Sequence, residues 1–281
     1  MNTPETVVVL EIAFIAVLGI YFIVLLYRWW RFWLYKKVTY LPKVDATIAK
    51  HLKYLEYYQL LSEQRKKEFV KRIRYLAKYK KFKGMDGQVI TDEIRANLSA
   101  TIVQITFGFK KSDIAKFNEI MVFPDTFFHP ATKVQMKGFT SANGQLAVSW
   151  PDYVKGYAIG DDNYNLGLHE LAHALHINAA RSRGNEDFKW RFKDWTERSL
   201  DDYYALKNLE NDFFRQYGGT NFHEFFAVVV EHFFESPAEF LKRIPQLYIR
   251  TCILLNQNPL NVKSDYAFDI SDFPQYNRSK K

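Results

Sequence analysis

The sequence predicts an α+β protein: a mainly helical domain with a small sheet, preceded by one N-terminal transmembrane helix. Three observations carry that reading. The chain opens on a 22-residue run, Thr6–Tyr27, with a single charge, Glu11. Beyond it, apolar residues recur at helical spacing between capping residues. Only three short segments, near Glu119, Met136 and Gln145, read as strands. With 48% hydrophobic and 17% aromatic residues, the remainder can bury a sizeable core.

A run of this length spans a bilayer core as a helix. Basic residues follow it instead of preceding it, and no small-x-small site comes after, so a cleaved signal peptide is disfavoured. Glu11 would cost about 3 kcal/mol at the bilayer centre and less near an end, where it lies. The next residues, Arg28-Trp29-Trp30-Arg31-Phe32-Trp33-Leu34-Tyr35-Lys36-Lys37, mix aromatic rings with positive charge as at a membrane interface. Positive charge on that side alone places the main domain in the cytoplasm, at the cell's inner membrane. Residues 1–37 are therefore expected to anchor, 38–262 to form the domain, and 263–281 to form a polar tail. Between Arg28 and Lys83 stand 17 Lys and Arg against four Asp and Glu, so the rest of this +8 chain is net acidic. Anionic headgroups account for such a basic stretch beside an anchor. No nucleic-acid motif accompanies it, and no nucleic-acid partner is expected. A single cysteine, Cys252, excludes an intramolecular disulfide and, set in an apolar run, reads as a buried small hydrophobe.

Along the domain, Asp45–Tyr58 and Ser62–Tyr79 read as helices, the second capped by Ser62. Gly84–Gly87 is a turn, and Thr91 caps a helix carrying Ile94, Leu98, Ile102 and Ile105 that ends near Gly108. Glu119–Phe123 is a strand stopped by Pro124. Met136–Phe139 and Gln145–Trp150 are strands around a turn at Ser141–Gly144, the second closed by Pro151 and able to offer an edge to an extended peptide. A helix runs from Asn165 or Leu166 to about Ala180. Phe188–Tyr217 reads as helical, Gly218–Asn221 breaks it, and Asn221 caps a helix from His223 to Phe234.

The chemistry concentrates in His169-Glu170-Leu171-Ala172-His173, an H-E-x-x-H motif. Residues four apart share a helix face, so two imidazoles can address one metal ion. Glu170 lies close enough to act on a metal-bound water, and zinc suits neutral imidazole and an open fourth position. The bland alternative is a surface helix with two solvated histidines. A catalytic zinc needs a third ligand, and Glu224 and Glu231 lie seven apart on one face of a downstream helix; either could supply it. Asp201, Asp202 and Glu210 are less tied to an apolar face. His176, three residues past His173, would crowd one helix face as a further ligand and fits a neighbouring role. His223 and His232 fit surface or packing roles.

The run Tyr217-Gly218-Gly219-Thr220-Asn221-Phe222-His223-Glu224-Phe225-Phe226-Ala227 behind this motif resembles the third-ligand region of the Mlc titration factor A family of zinc peptidases. It is also similar to the catalytic domain of anthrax lethal factor. Landmarks including Tyr57–Ser62, Ile90–Arg95, Gln104–Gly108 and Val148–Trp150 extend the resemblance over about residues 45 to 245. It implies a zincin-like metallopeptidase fold, with Zn2+ held by His169, His173 and Glu224, and leaves Glu231 outside the ligand set. It further implies Glu170 as general base and Tyr217 as a hydrogen-bond donor to the oxyanion. The expected activity is hydrolysis of a peptide or protein substrate, with aminopeptidase action suggested by the family. The alternative is a zinc-containing domain that sequesters a cytoplasmic regulatory protein; an intact Glu170, Tyr217 and ligand set argues against that. One departure is His176 after Leu175, where relatives commonly carry aspartate.

Overall fold

The apolar run at the start of the chain becomes α1, Pro4–Val38, a continuous 35-residue helix. The computed structural model describes residues 4–38, 48–53, 55–110, 114–130, 132–181 and 186–274. Every described side chain from Ile12 to Arg31 is exposed, and among the described residues this is the one helix long and apolar enough to cross a membrane. The chain divides into two units, Met1–Val44 and Asp45–Lys281.

In the second unit, the expected helix Asp45–Tyr58 is not continuous. Residues 48–51 are helical, Leu55 is extended, and a separate short helix α2 covers Glu56–Gln59; residues 45–47 and 54 lie outside the described residues. Helix α3, Glu63–Tyr79, is capped by Ser62 Oγ, which accepts from Arg65 N. Helix α4, Asp92–Thr106, is capped by Thr91, which accepts from Ile94 N at 3.2 Å. Such a cap is worth about 1 kcal/mol. Helix α4 is buried on nearly every side, and Ile102, Val103 and Ile105 have no exposed surface.

The sheet has four strands in the order β1-β2-β6-β5, where β1 is Lys81–Gly84, β2 Glu119–Phe123, β5 Gly138–Thr140 and β6 Gln145–Ser149. Strands β1, β2 and β6 run parallel, and β5 pairs antiparallel with β6. The expected strand Met136–Phe139 is two strands. Val134–Met136 (β4) pairs with Phe127–His129 (β3) in a separate ribbon, and the chain re-enters the sheet at Gly138. Because β6 lies between β2 and β5, it is interior to the sheet, and the edge on that side belongs to β5. Pro151 ends β6 by opening a helix, α5, Trp150–Ala158, capped by Ser149; proline is well placed in a first helical turn.

Helix α6, Leu166–Arg181, carries the H-E-x-x-H motif. The segment expected as one helix from Phe188 to Tyr217 is two helices, Glu186–Arg198 (α7) and Leu200–Lys207 (α8), then irregular chain and a 3-10 turn, Gln216–Gly219. Leu209, at φ 63°, takes the chain out of α8 in the left-handed region. Helix α9, Phe222–Glu235, packs on α6, with Asn221 Oδ1 accepting from His223 N and Glu224 N. Helices α10, Pro237–Arg243, and α11, Pro245–Leu255, complete the core, where Cys252 is fully buried. Beyond Lys263, Tyr266 stacks on Tyr57 with ring centroids 4.1 Å apart, and Phe273 is buried.

Candidate metal centre

Two helices and one strand build the centre. Asn165 is buried ahead of α6, where its Oδ1 accepts from Leu168 N at 3.0 Å and fixes the first turn. The same residue ties α6 to α9: its backbone N–H donates to Glu231 Oε2 at 2.8 Å, and its side chain donates to Glu235 Oε1 at 3.0 Å. With the helices so held, the His169 and His173 Nε2 atoms stand 3.1 Å apart. Glu224 Oε2 lies 3.0 Å from the first and 3.4 Å from the second. Three ligands at zinc bonding distance on a tetrahedral centre would be about 3.3 Å apart, so the spacing fits.

The chemistry of the donor set fits as well. His169 Nδ1–H donates to Glu231 Oε1 at 2.7 Å. With Nδ1–H committed to Glu231, the nitrogen that faces His173 and the Glu224 carboxylate is Nε2, where either a proton or a metal ion can sit. Donor atoms converging in this way favour a positive centre among them. Burial works against a charged His169, but its hydrogen bonds to Glu224 and Glu231 outweigh that and push it up to about 10. Burial likewise raises Glu224, and its bonds to the two histidines reverse this and hold it far below the carboxylate range. The centre is built to hold positive charge.

Glu231 is 1% exposed. Besides His169 it takes a hydrogen bond from Arg215 Nη2 at 2.5 Å, and the Arg215 guanidinium lies 3.8 Å from the centre of the Tyr164 ring. Arg215 immediately precedes the 3-10 turn that carries Tyr217. The pair therefore connects the support of His169 to the segment bearing the tyrosine. Tyr217 is half-exposed, with its ring centroid 6.1 Å from that of His169. Partial burial and the Glu224 and Glu170 carboxylates hold its phenol above the ordinary value, so it stays a donor.

Glu170 points from α6 towards β5. Thr140 Oγ1 donates to Glu170 Oε2 at 2.6 Å. A Cβ at Gly138 would stand 2.3 Å from Glu170 Oε1, so only glycine leaves the carboxylate its place. Burial raises Glu170 above the ordinary carboxylate value, against the opposing pull of the two histidines and Thr140. On either side of β5, Lys137 O and Ser141 N bond towards β6. By the alternation of an antiparallel pair, Gly138 and Thr140 turn their backbone groups to the open edge.

The structure thus gathers His169, His173, Glu224, Glu170 and Tyr217 in one place. The carboxylates of Glu224 and Glu231 divide the work that spacing left open: one faces both Nε2 atoms, the other a single Nδ1. Asp202 is elsewhere, paired with Arg250 at 2.6 Å. His232 is buried against Phe213 and Phe214, and His176 pairs with His223. Thr140, Gly138, Arg215 and Asn165 carried no sequence signal as site residues. A shared helix face with Glu224 was the one hint of Glu231.

The model of the glucose-regulated metallo-peptidase M90 family matches residues 27–252. An uncharacterized protein of Synechocystis is 27% identical over 219 residues, covering 69% of this chain and 77% of that protein. Mlc titration factor A from Yersinia pestis and from Yersinia pseudotuberculosis is 23% identical over 236 residues, covering 76% of this chain and 86% of each relative.

Proposed function

Since this chain belongs to the glucose-regulated metallo-peptidase M90 family, we propose that it is a zinc-dependent peptidase anchored by α1 to the cell's inner membrane, with its catalytic unit in the cytoplasm. The observation that carries the reading is the convergence of His169, His173 and Glu224 next to a buried, threonine-held Glu170. His169, His173 and Glu224 would hold the metal. A zinc ion there supplies Lewis acidity, which acidifies water and polarises a carbonyl.

The remaining work falls to this chain's own groups. Glu170 accepts a proton from the attacking water as its oxygen bonds to the peptide carbonyl carbon. Burial raises the basicity of this carboxylate, which suits proton transfer near neutral pH. The Tyr217 hydroxyl donates to the carbonyl oxygen as negative charge develops there, an interaction worth about 3–4 kcal/mol per donor. Glu170 then delivers the proton to the leaving nitrogen as the C–N bond breaks. Glu231 holds the His169 proton on Nδ1 throughout. The open edge of β5, beside Glu170, takes the peptide backbone in extended form. The membrane arrangement is supported by the exposed apolar stretch of α1 and by the basic-aromatic residues that continue the same helix.

Glu170→Gln tests the chemistry. The variant should retain its tightly bound zinc and lose cleavage of a panel of short chromogenic peptides. Ordinary turnover by this variant refutes the mechanism. A second reading, capture of a regulatory protein, takes its support from the name of the Yersinia relatives. It predicts stoichiometric binding that Glu170→Gln leaves unchanged.

A further inference from the structure

Two histidines that the first metal centre leaves unused face each other beside it. His176 lies three residues past His173 on α6, and His223 directly precedes Glu224 on α9. Their Nδ1 atoms are 2.9 Å apart, and their rings stack with centroids 4.4 Å apart. The His176 ring rests on Phe192 at 4.6 Å and meets Phe226 edge-on, so its orientation is held from behind. Both residues keep partial access to solvent.

As a hydrogen bond, this contact satisfies both nitrogens with one shared proton. As a ligand pair, it offers two imidazole lone pairs from separate helices at a spacing a few tenths of an ångström short of the roughly 3.3 Å that two zinc ligands adopt. Burial and the nearby histidines lower His176 to about 4, so it stands as a neutral imidazole at ordinary pH. Among the described residues, no carboxylate or carbonyl oxygen hydrogen-bonds to either ring, so the donor set suits borderline metals and not Mg2+ or Ca2+.

We propose that His176 and His223 form a second, weaker binding site for a divalent ion of the zinc class, with water filling the remaining positions. It would lie about one helical turn from the first centre, since His176 and His173 are neighbours along one helix face. Two protein ligands without a carboxylate make it weaker than the three-ligand site. It would fill only at zinc levels beyond those that saturate the first. The proposal is independent of whether the first site supports hydrolysis.

Calorimetric titration of the tag-free, full-length chain in detergent micelles with Zn2+ tests it. Two events are expected, the second at least tenfold weaker than the first, with no second event for Mg2+. His176→Gln should abolish the weaker event and leave the tighter one. His176→Phe, which keeps the ring against Phe192 but removes Nδ1, should do the same if the glutamine variant fails to fold. A parent that shows no weak event overturns the proposal, as does a weak event that survives both substitutions. Loss of the tight event alone would sink the peptidase reading and leave this one standing.

Discussion

Replacing Glu231 by glutamine removes one charge and rearranges three hydrogen bonds. Its Oε1 accepts from His169 Nδ1 and Arg215, and its Oε2 accepts from Asn165 N. A glutamine has one acceptor atom to place. If its oxygen faces His169 and Arg215, its amide faces the Asn165 N–H, donor against donor. If it flips, the amide drives the His169 proton from Nδ1 to Nε2, onto the lone pair meant for metal. Partners of this kind are worth about 10–100-fold in metal affinity, or about 1.4–2.7 kcal/mol. Arg215, largely buried, also loses its carboxylate. Stranding one member of a buried pair costs about 3–5 kcal/mol, and the stack on Tyr164 and residual solvent access favour the lower end. The assay is competition for Zn2+ against a chromophoric chelator, with thermal unfolding of the same samples. A zinc Kd within threefold of the parent would show that Glu231 does not set the state of His169.

Other expectations follow from single contacts. Gly138→Ala should lower kcat at least tenfold with zinc content unchanged, because the new Cβ must displace the Glu170 carboxylate; parental kcat would refute the placement of the base against β5. Tyr217→Phe should lower kcat about 10²–10³-fold, the usual cost of one oxyanion donor, with zinc Kd unmoved; stopped assays with a chromogenic peptide decide it. Glu235 is pushed by burial up to about 8, against the opposing hydrogen bond from Asn165. Its folded value is raised, so the folded protein binds the extra proton between about 4.5 and 8, and stability is full below that window and falls as pH rises through it. Glu235→Gln should therefore flatten the fall in Tm from pH 5 to pH 8.5; an unchanged slope would show that Glu235 does not titrate in that range.

The parts legible in the sequence are those whose signal is local. Thr91, Ser62 and Asn221 cap helices where a capping residue precedes an apolar period. The H-E-x-x-H helix follows from spacing alone, and Glu224 was singled out by the resemblance rather than by spacing. The β3–β4 ribbon and the break at Lys137 were not legible, since a three-residue strand has no period to read. Helix α5 was hidden by Pro151, which ends a strand and opens a helix with the same ring. The long segment after Phe188 read as one helix because its composition is uniformly charged and aromatic, while the break at Ser199 depends on packing. Arg215, Thr140 and Gly138 reach the centre from loops and a strand, distances the sequence does not encode.

The brevity of β5 limits how a guest peptide can be measured. Only Gly138 and Thr140 turn their amides and carbonyls outward, so a docked strand finds at most four backbone partners, enough to align about two of its residues. If substrate docks there as proposed, a ruler that short would align the backbone beside Glu170 and read little of what flanks it. Discrimination among guests must then reside in side-chain pockets beyond the strand, or in how readily a guest can straighten out at all.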